Sequence, residues 1–451
     1  MYIRKVKIEN IRCFGADEHR VELDLERPDG KFAGWTIVAG RNGAGKSTFL
    51  KALALAVAGP TAAHSLEASF AGWIRTGATW AQVGVELDFD ERDGLTNSVN
   101  DTRHPFWAKI TLDGEADGPE PRLRTYRQIP ASGESWDNAL SYAHRGPWAE
   151  NPKGWFLSGY GPFRRLEGHT VDTVRLMAGP SRLARIVSLF REDASLAECV
   201  AWLRSIYLLR LEGKANAKQL EDNVLALLND GLLPDGLRVL HVDSEALWTE
   251  RNGVRLPLRD LSDGHRTVTA LVLDLVKQLY ACFGDFELMG DAGSLISPYA
   301  GVVLIDEIDI HLHVSWQQRI GFWLKEHFPN IQFIVTTHSP FVCQAADPKG
   351  LIRLPAPGTD ERAEHVSEEL FKLIVNGGAD DAAMTALFGL EHAYSDRSEA
   401  LRCRVAELEA RVIRGSATPE EEAERTRLAD QLPTTGSAMV EQALRNLRAA
   451  E

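Results

Sequence analysis

With 451 residues, 44% of them hydrophobic and 25% charged, the chain has room for two or three structural units, or one large domain with insertions, and reads as an ordinary soluble protein. A formal net charge of −14 argues against a protein that coats nucleic acid unspecifically, although an acidic body can still carry a local basic groove. Five scattered cysteines (Cys13, Cys199, Cys282, Cys343, Cys403) without C-x-x-C spacing argue against a disulfide frame or zinc ribbon, and with no signal-peptide or bilayer-length apolar run a cytoplasmic protein is expected.

The opening "MYIRKVKIENIRCF" alternates as a strand does. Next, "TIVAGRNGAGKSTFLKALALAVAGP" gives a β-rich run, the spacing G-x-x-x-x-G-K-S from Gly40 to Ser47, and a helical stretch that stops at Gly59-Pro60. Strand, glycine loop and helix in that order form an anion cradle. Gly40, Gly43 and Gly45, with Arg41, Asn42 and Ala44 between them, let the backbone turn its N–H groups inward, and the helix dipole adds positive charge near Lys46. Lys46 is expected on the β- and γ-phosphates of ATP and Ser47 on Mg²⁺, with Thr48 beside them in the binding segment.

Between Lys46 and Ser262 no sustained heptad run appears, so the insertion is not a coiled coil. From about 83 to 165 the chain reads as short strands, "VGVELDFD", "WAKITLDG", "RLRTYRQI" and "WFLSGYGP", split by Gly, Pro, Asp and Asn. From about 180 to 230 it turns helical, with Ser195 and Glu198 as a capping box before "LAECVAWLRSIYLL". These patterns predict a β-rich arm over 61–175 and a helical lid over 176–235, set into a core built from 1–60 and 236–365. "DGLRVLHVD" returns to strand, and Asn252-Gly253 is the turn of a hairpin.

Leu261-Ser262-Asp263-Gly264 then precedes an amphipathic helix, where Ser262 and Gly264 make a second anion site. In "VVLIDEIDIHLHV" a continuous aliphatic run reads as a buried parallel strand whose carboxyl end delivers Asp306 to Mg²⁺, while Glu307 orients and deprotonates the attacking water. "IQFIVTTHSP" is another such strand, ending in His338, placed to sense the γ-phosphate. His311 and His313 would share one face of a strand; with no third ligand in view they are read as structural or interface residues rather than a metal site. "SWQQRIGFWLKEHF" reads as an amphipathic helix with Trp316, Ile320, Trp323, Leu324 and Phe328 on its apolar side. Farther on, Leu401, Val405, Leu408 and Val412 recur at heptad-like steps, Thr418-Pro419-Glu420-Glu421 caps a second helix and Ser437 a third, so 366–451 is a helical region that either packs back or docks a partner.

"GRNGAGKST", "LSDGHR", "LIDEID" and "TTHSP", in that order, resemble the Walker A, signature, Walker B and switch-histidine motifs of the ABC-type ATPase heads of RecF- and SMC-like proteins. "IRKVKIENIRCFG" resembles the first strand of that group, so the resemblance spans residues 1–60 and about 235–350. It implies an α/β fold, a P-loop NTPase of ABC-ATPase head type with a β-rich arm, a helical lid and a C-terminal helical appendage. It also implies that Ser262 and Gly264 of one copy close over ATP held by the P-loop of a second, with Lys46, Glu307 and His338 in the catalytic set and Asp309 in the loop that crosses the interface. "GYGPFRRL", around Tyr160, resembles a Tyr-Gly-Pro-x-Arg element of defence-associated members; it stands where a transporter subunit carries a glutamine that is absent here. Arg164 or Arg165 in it either binds phosphate or makes a basic surface turn.

Among these heads the text is most similar to the ATPases of bacterial anti-phage systems, the Septu ATPase (PtuA) group, found also in some retrons. That resemblance implies an ATPase that uses ATP and Mg²⁺, hydrolyses slowly, forms a homodimer and higher oligomers, and controls a separate effector nuclease of HNH type. OLD-family nucleases share the head but continue into an acid-rich Toprim domain, and the residues after His338 offer no such cluster. A RecF-like repair ATPase that binds DNA when ATP is bound is the second reading; a transporter subunit fits poorly with the long insertion.

Overall fold

The aliphatic runs of the sequence lie side by side. β7 (Leu157–Tyr160), β11 (Gly301–Ile305), β12 (Ile331–Thr336), β3 (Gly34–Ala39) and β13 (Leu351–Arg353) are parallel in that spatial order, and β14 (Glu364–His365) closes the sheet antiparallel. Every residue of β3, β11 and β12 is buried, as a parallel sheet covered on both faces requires. The register sets Ile305 beside Val335 and Tyr160, and Thr336 beside Val38. The carboxyl ends of four strands therefore finish together, where an open α/β sheet binds its ligands.

A second, antiparallel sheet runs β2 (Val21–Asp24), β1 (Tyr2–Glu9), β4 (Trp80–Asp88), β5 (Phe106–Asp113), β6 (Arg122–Arg124). Its first strand buries Ile3, Val6 and Ile8; a register shift between Ile3 and Lys5 accounts for the extra residue in the alternation. Helix Lys46–Ala58 packs against strands of both sheets. All its residues except Ser47 and Lys51 are buried, which is why it is apolar all round rather than along one stripe. A third sheet, β8 (Arg238–Val242), β9 (Leu247–Arg251), β10 (Val254–Pro257), carries the expected hairpin. Asn252 and Gly253 have φ of 53° and 79°, the left-handed pair a primed two-residue turn needs. Helices Ala197–Leu211 and Ala217–Asn229 pack on each other and on the long helix Asp263–Phe283.

The computed structural model describes residues 1–96, 103–115, 118, 120–125, 136–164, 181–192, 194, 196–234, 236–356, 358–359, 361–390, 392 and 394–432. Two compact units result, Met1–Ala382 and Ala383–Glu451. The first runs past residue 365 because helix Glu368–Asn376 stays with it, with Gln344 Nε2 donating to the Gly377 carbonyl. In the second, helices Asp396–Ile413 and Pro419–Ala429 form a hairpin, joined by Arg404 to Glu424 at 3.0 Å and Arg411 to Glu421. Thr418 and Glu421 make a complete capping box. Ser437, Arg165 and Ser195 lie outside the described residues. No helix among the described residues is long and apolar enough to cross a membrane.

Local differences from the sequence pattern have local causes. "WFLSGYGP" belongs not to the β-rich arm but to the parallel sheet, because all four residues of β7 are buried and pair with β11. Helix Trp136–Arg145 lies inside the stretch read as strands, where it packs on β5. His311 and His313 are not on a strand, since β11 stops at Ile305 and the backbone turns left-handed at Glu307 and His311 (φ 47° and 65°).

Candidate functional site

The loop between β3 and helix Lys46–Ala58 is wound by left-handed glycines, Gly43 and Gly45 at φ 80° and 91°. At Gly45 a side chain is doubly excluded, since a Cβ would run into Cys13 Sγ and the Phe14 ring. The segment after β1 thus braces the loop from outside. Cys13 Sγ meets the Ala44 carbonyl at 3.7 Å, Arg12 donates to Thr48 Oγ1 at 3.4 Å, and the Arg12 guanidinium sits 4.6 Å from the Trp73 ring centroid. Beside the loop, a cavity of about 130 Å³ is lined by Cys13, Phe14, His19, Ala44, Arg75 and Ala356, among others.

Lys46 is 7% exposed, and its Nζ donates to the carbonyls of Gly40 (2.9 Å) and Arg41 (3.3 Å). Burial pushes its ammonium below the ordinary lysine value, against the pull of Glu307, Asp306 and Asp309. A buried cation within electrostatic reach of three carboxylates, beneath a glycine loop at a helix N-terminus, is an arrangement that suits a Mg²⁺-bound triphosphate. Arg41, Asn42 and Gly43 are exposed at the mouth of the loop, Ala44 is buried, and Ser47 is half-buried on the first turn of the helix.

The end of β11 is held by Thr336, which the sequence does not advertise, and by Arg164. Thr336 donates its hydroxyl to Asp306 Oδ1 (2.5 Å) and accepts from the Glu307 amide (2.7 Å). Arg164, 3% exposed, donates to the carbonyls of Gly161, Asp306, Glu307 and Ile308 at 2.9 to 3.3 Å. Its two terminal nitrogens are thus taken up by backbone carbonyls of Gly161 and of the turn after β11. Burial lowers its pKa to about 10 despite Asp306, Asp309 and Glu307, so it stays charged at neutral pH. The bend matters because a non-glycine residue in the left-handed region costs about 1–3 kcal/mol, and Glu307 sits there. Arg164→Ala should destabilise the fold by about 3 kcal/mol or more in denaturant titration. Arg164→Lys, unable to fork onto several carbonyls, should recover little of it.

At Glu307, burial and the neighbouring Asp306 push the carboxyl above the usual carboxylate range; His338 and Lys46 pull the other way. The turn that follows is tied back to β12. Asp309 Oδ1 accepts from Thr337 Oγ1 (2.6 Å) and the His338 amide (3.2 Å). Gln317 donates to the Asp309 and Leu312 carbonyls and accepts from Ser339. The backbone of His338 is therefore fixed, and the residue is exposed. His313 caps helix Val314–Gln317, its Nδ1 accepting from the Ser315 amide. Among the described residues no group of three or more His, Cys, Asp or Glu could hold a metal ion by itself.

Ser262 and Gly264 begin helix Asp263–Phe283. The site of a Cβ on Gly264 lies 3.0 Å from the His311 carbonyl, so this segment lies against the turn after β11. Ser262 Oγ meets His265 Nδ1 at 2.7 Å. Lys46, Asp306, Glu307 and Asp309 thus come together electrostatically, while Ser262 and Gly264 are engaged with His265 and His311.

Family models match two stretches of the chain: one described as "AAA domain, putative AbiEii toxin, Type IV TA system" over residues 180–344, and one described as "AAA domain" over residues 5–110. The chain is similar to the "Retron Ec83 probable ATPase" of Escherichia coli, 41% identical over 112 residues, which is 23% of this chain and 18% of that protein. It is also similar to the Septu protein PtuA of Bacillus thuringiensis, 31% identical over 34% of this chain and 37% of that one. For the Septu protein PtuA of Bacillus mycoides the figures are 27% over 75% and 38%. The chain thus spans between about a fifth and two fifths of the length of these curated relatives. Among solved structures, the SMC head bound to the C-terminal winged-helix domain of ScpA covers 82% of this chain and 99% of its own at 18% identity, with a TM-score of 0.45. AAA-domain models thus match two stretches of the chain, and Septu and retron ATPases are among the proteins it is similar to.

Proposed function

We propose that this protein is a slow ATPase whose two copies share bound ATP and thereby license a separate effector nuclease of an anti-phage system. The observation that carries the ATPase part is the buried Lys46 set against Asp306, Glu307 and Asp309 at the aligned strand ends. In this reading the P-loop amides and Lys46 hold the phosphates, Ser47 and Asp306 hold Mg²⁺, and the cavity beside Ala44 receives the base. When bound there, Mg²⁺ would supply positive charge against the phosphate oxygens. Glu307, its carboxyl raised by burial, takes the proton of the attacking water, and a basicity above that of ordinary carboxylates suits it to that transfer at neutral pH. His338, on its fixed backbone, faces the γ-phosphate. Ser262 and Gly264 serve the nucleotide of the second copy; within its own chain the Ser262 hydroxyl meets His265.

The test is Ser262→Ala. We expect monomeric nucleotide affinity to stay as it is, phosphate release to fall by about a hundredfold, the usual loss for one transition-state donor, and the ATP-driven dimer seen by sedimentation to weaken. Unchanged dimerisation would remove the sharing. The effector is tested by tagging this chain and expressing it with its gene neighbours: a nuclease chain retained on the tag supports the regulatory role. ATP-dependent affinity for bare DNA without such a chain would favour a repair clamp.

A further inference from the structure

Ser262 occupies the residue just before helix Asp263–Phe283 in an extended conformation (φ −62°, ψ 154°) yet makes no side-chain cap to the helix amides. A serine there ordinarily accepts from an amide of the first turn; this hydroxyl is diverted onto a ring instead, 2.7 Å from His265 Nδ1. The ring is itself held, its centroid 6.0 Å from that of Trp316 and the two planes near perpendicular at 86°. A serine hydroxyl has one hydrogen to give. With Nδ1 bare, the ring takes it. With Nδ1 protonated, the ring donates into an oxygen lone pair and the hydroxyl hydrogen is free to turn outward.

We propose that His265 is a positioning residue that decides whether the Ser262 hydroxyl can donate to the γ-phosphate held by a second copy of this chain: the imidazolium frees that hydrogen, and the neutral ring with a bare Nδ1 withholds it. This rests on the shared-nucleotide reading above. The groups around the ring are already engaged. On its own helix, Asp263 pairs with Arg266, which also reaches the Arg259 carbonyl. Asp260 lies in the preceding turn beside Arg259, and from the turn after β11 come His311, near Asp263, and His313, which is occupied as a cap. Closing two copies adds a triphosphate to this neighbourhood, and its negative charge favours the imidazolium.

The sign follows. A ring whose proton is held more tightly in the closed pair than in the free chain makes association strongest below the ordinary histidine value, about 6.5. Association weakens as pH rises through the value in the closed pair. A tightening of about one unit at each of the two shared sites amounts to about tenfold per site, so about a hundredfold in dimer affinity.

The experiment is sedimentation of Glu307→Gln protein with ATP and Mg²⁺ at fixed ionic strength between about pH 6 and about pH 8. We expect the dimer to weaken by about fortyfold across that range, the larger part of the full change. His265→Gln in the same background should associate without that dependence, since the amide can donate to Ser262 but does not titrate. His265→Ala should associate weakly throughout. The second ring assigned to the phosphates is tested by His338→Asn, and the dependence must survive it. A pH slope retained in His265→Gln, a flat profile in the parent, or a slope lost with His338→Asn would overturn the proposal. Absence of any ATP-driven dimer in the parent, at every pH, would instead overturn the shared-nucleotide reading and this inference with it.

Discussion

Replacing Glu307 by Gln will slow ATP turnover by about a thousandfold, within the range that a positioned general base contributes, while ATP stays bound and the dimer accumulates. The amide keeps the shape of the carboxylate and its left-handed backbone, pinned by Thr336 and Arg164, but cannot take a proton. A second readout needs no nucleotide. Burial and Asp306 hold the Glu307 carboxyl above its unfolded value, so its charge costs stability at every pH above both values. That cost fades as pH falls through the raised folded value and is gone below the unfolded one, about 4.3. The Gln variant should therefore melt higher than the parent at neutral pH, with the difference disappearing in acid. Phosphate release, sedimentation with ATP and thermal melts across pH check the three parts; turnover at the parent rate would remove Glu307 as the base.

Lys46→Ala should abolish measurable ATP binding, a loss of at least about a hundredfold if one buried charge-assisted contact to phosphate contributes about 3 kcal/mol. The substitution also unlatches the loop, whose Gly40 and Arg41 carbonyls lose their donor, and leaves Asp306, Glu307 and Asp309 with Arg164 but without the lysine charge. Calorimetry with ATP and Mg²⁺ measures the first effect directly. Unchanged affinity would contradict the cradle.

The fold was legible in the sequence where its determinants are contiguous. A glycine loop between strand and helix, and aliphatic runs ending in acids, each declare themselves within about ten residues, and the order of the motifs named the architecture. What sequence pattern could not supply were contacts set by topology. Arg164 reaches the Asp306 carbonyl 142 residues away, and Thr336 reaches the Asp306 carboxylate 30 residues away. The "GYGPFRR" segment did draw notice, but the contacts of its arginine with the turn after β11 become visible only once β7 is seen to flank β11. Placing that segment in the β-rich arm followed from its short length and flanking glycines and prolines; only pairing reveals it as a parallel core strand. The Ser262–His265 contact is local, three residues apart, yet it was hidden because a serine before a helix reads first as a cap.

Sharing of one nucleotide by two chains is tested most directly by mixing two crippled proteins. Lys46→Ala has a ruined glycine loop and an intact Ser262, and Ser262→Ala the reverse, so each alone should release little phosphate. In an equimolar mixture with ATP, only the mixed pair has an intact composite site, made from the glycine loop of one protein and the Ser262 of the other. Phosphate release by the mixture should then rise well above that of either protein alone. A mixture no more active than the average of its two components would contradict the account.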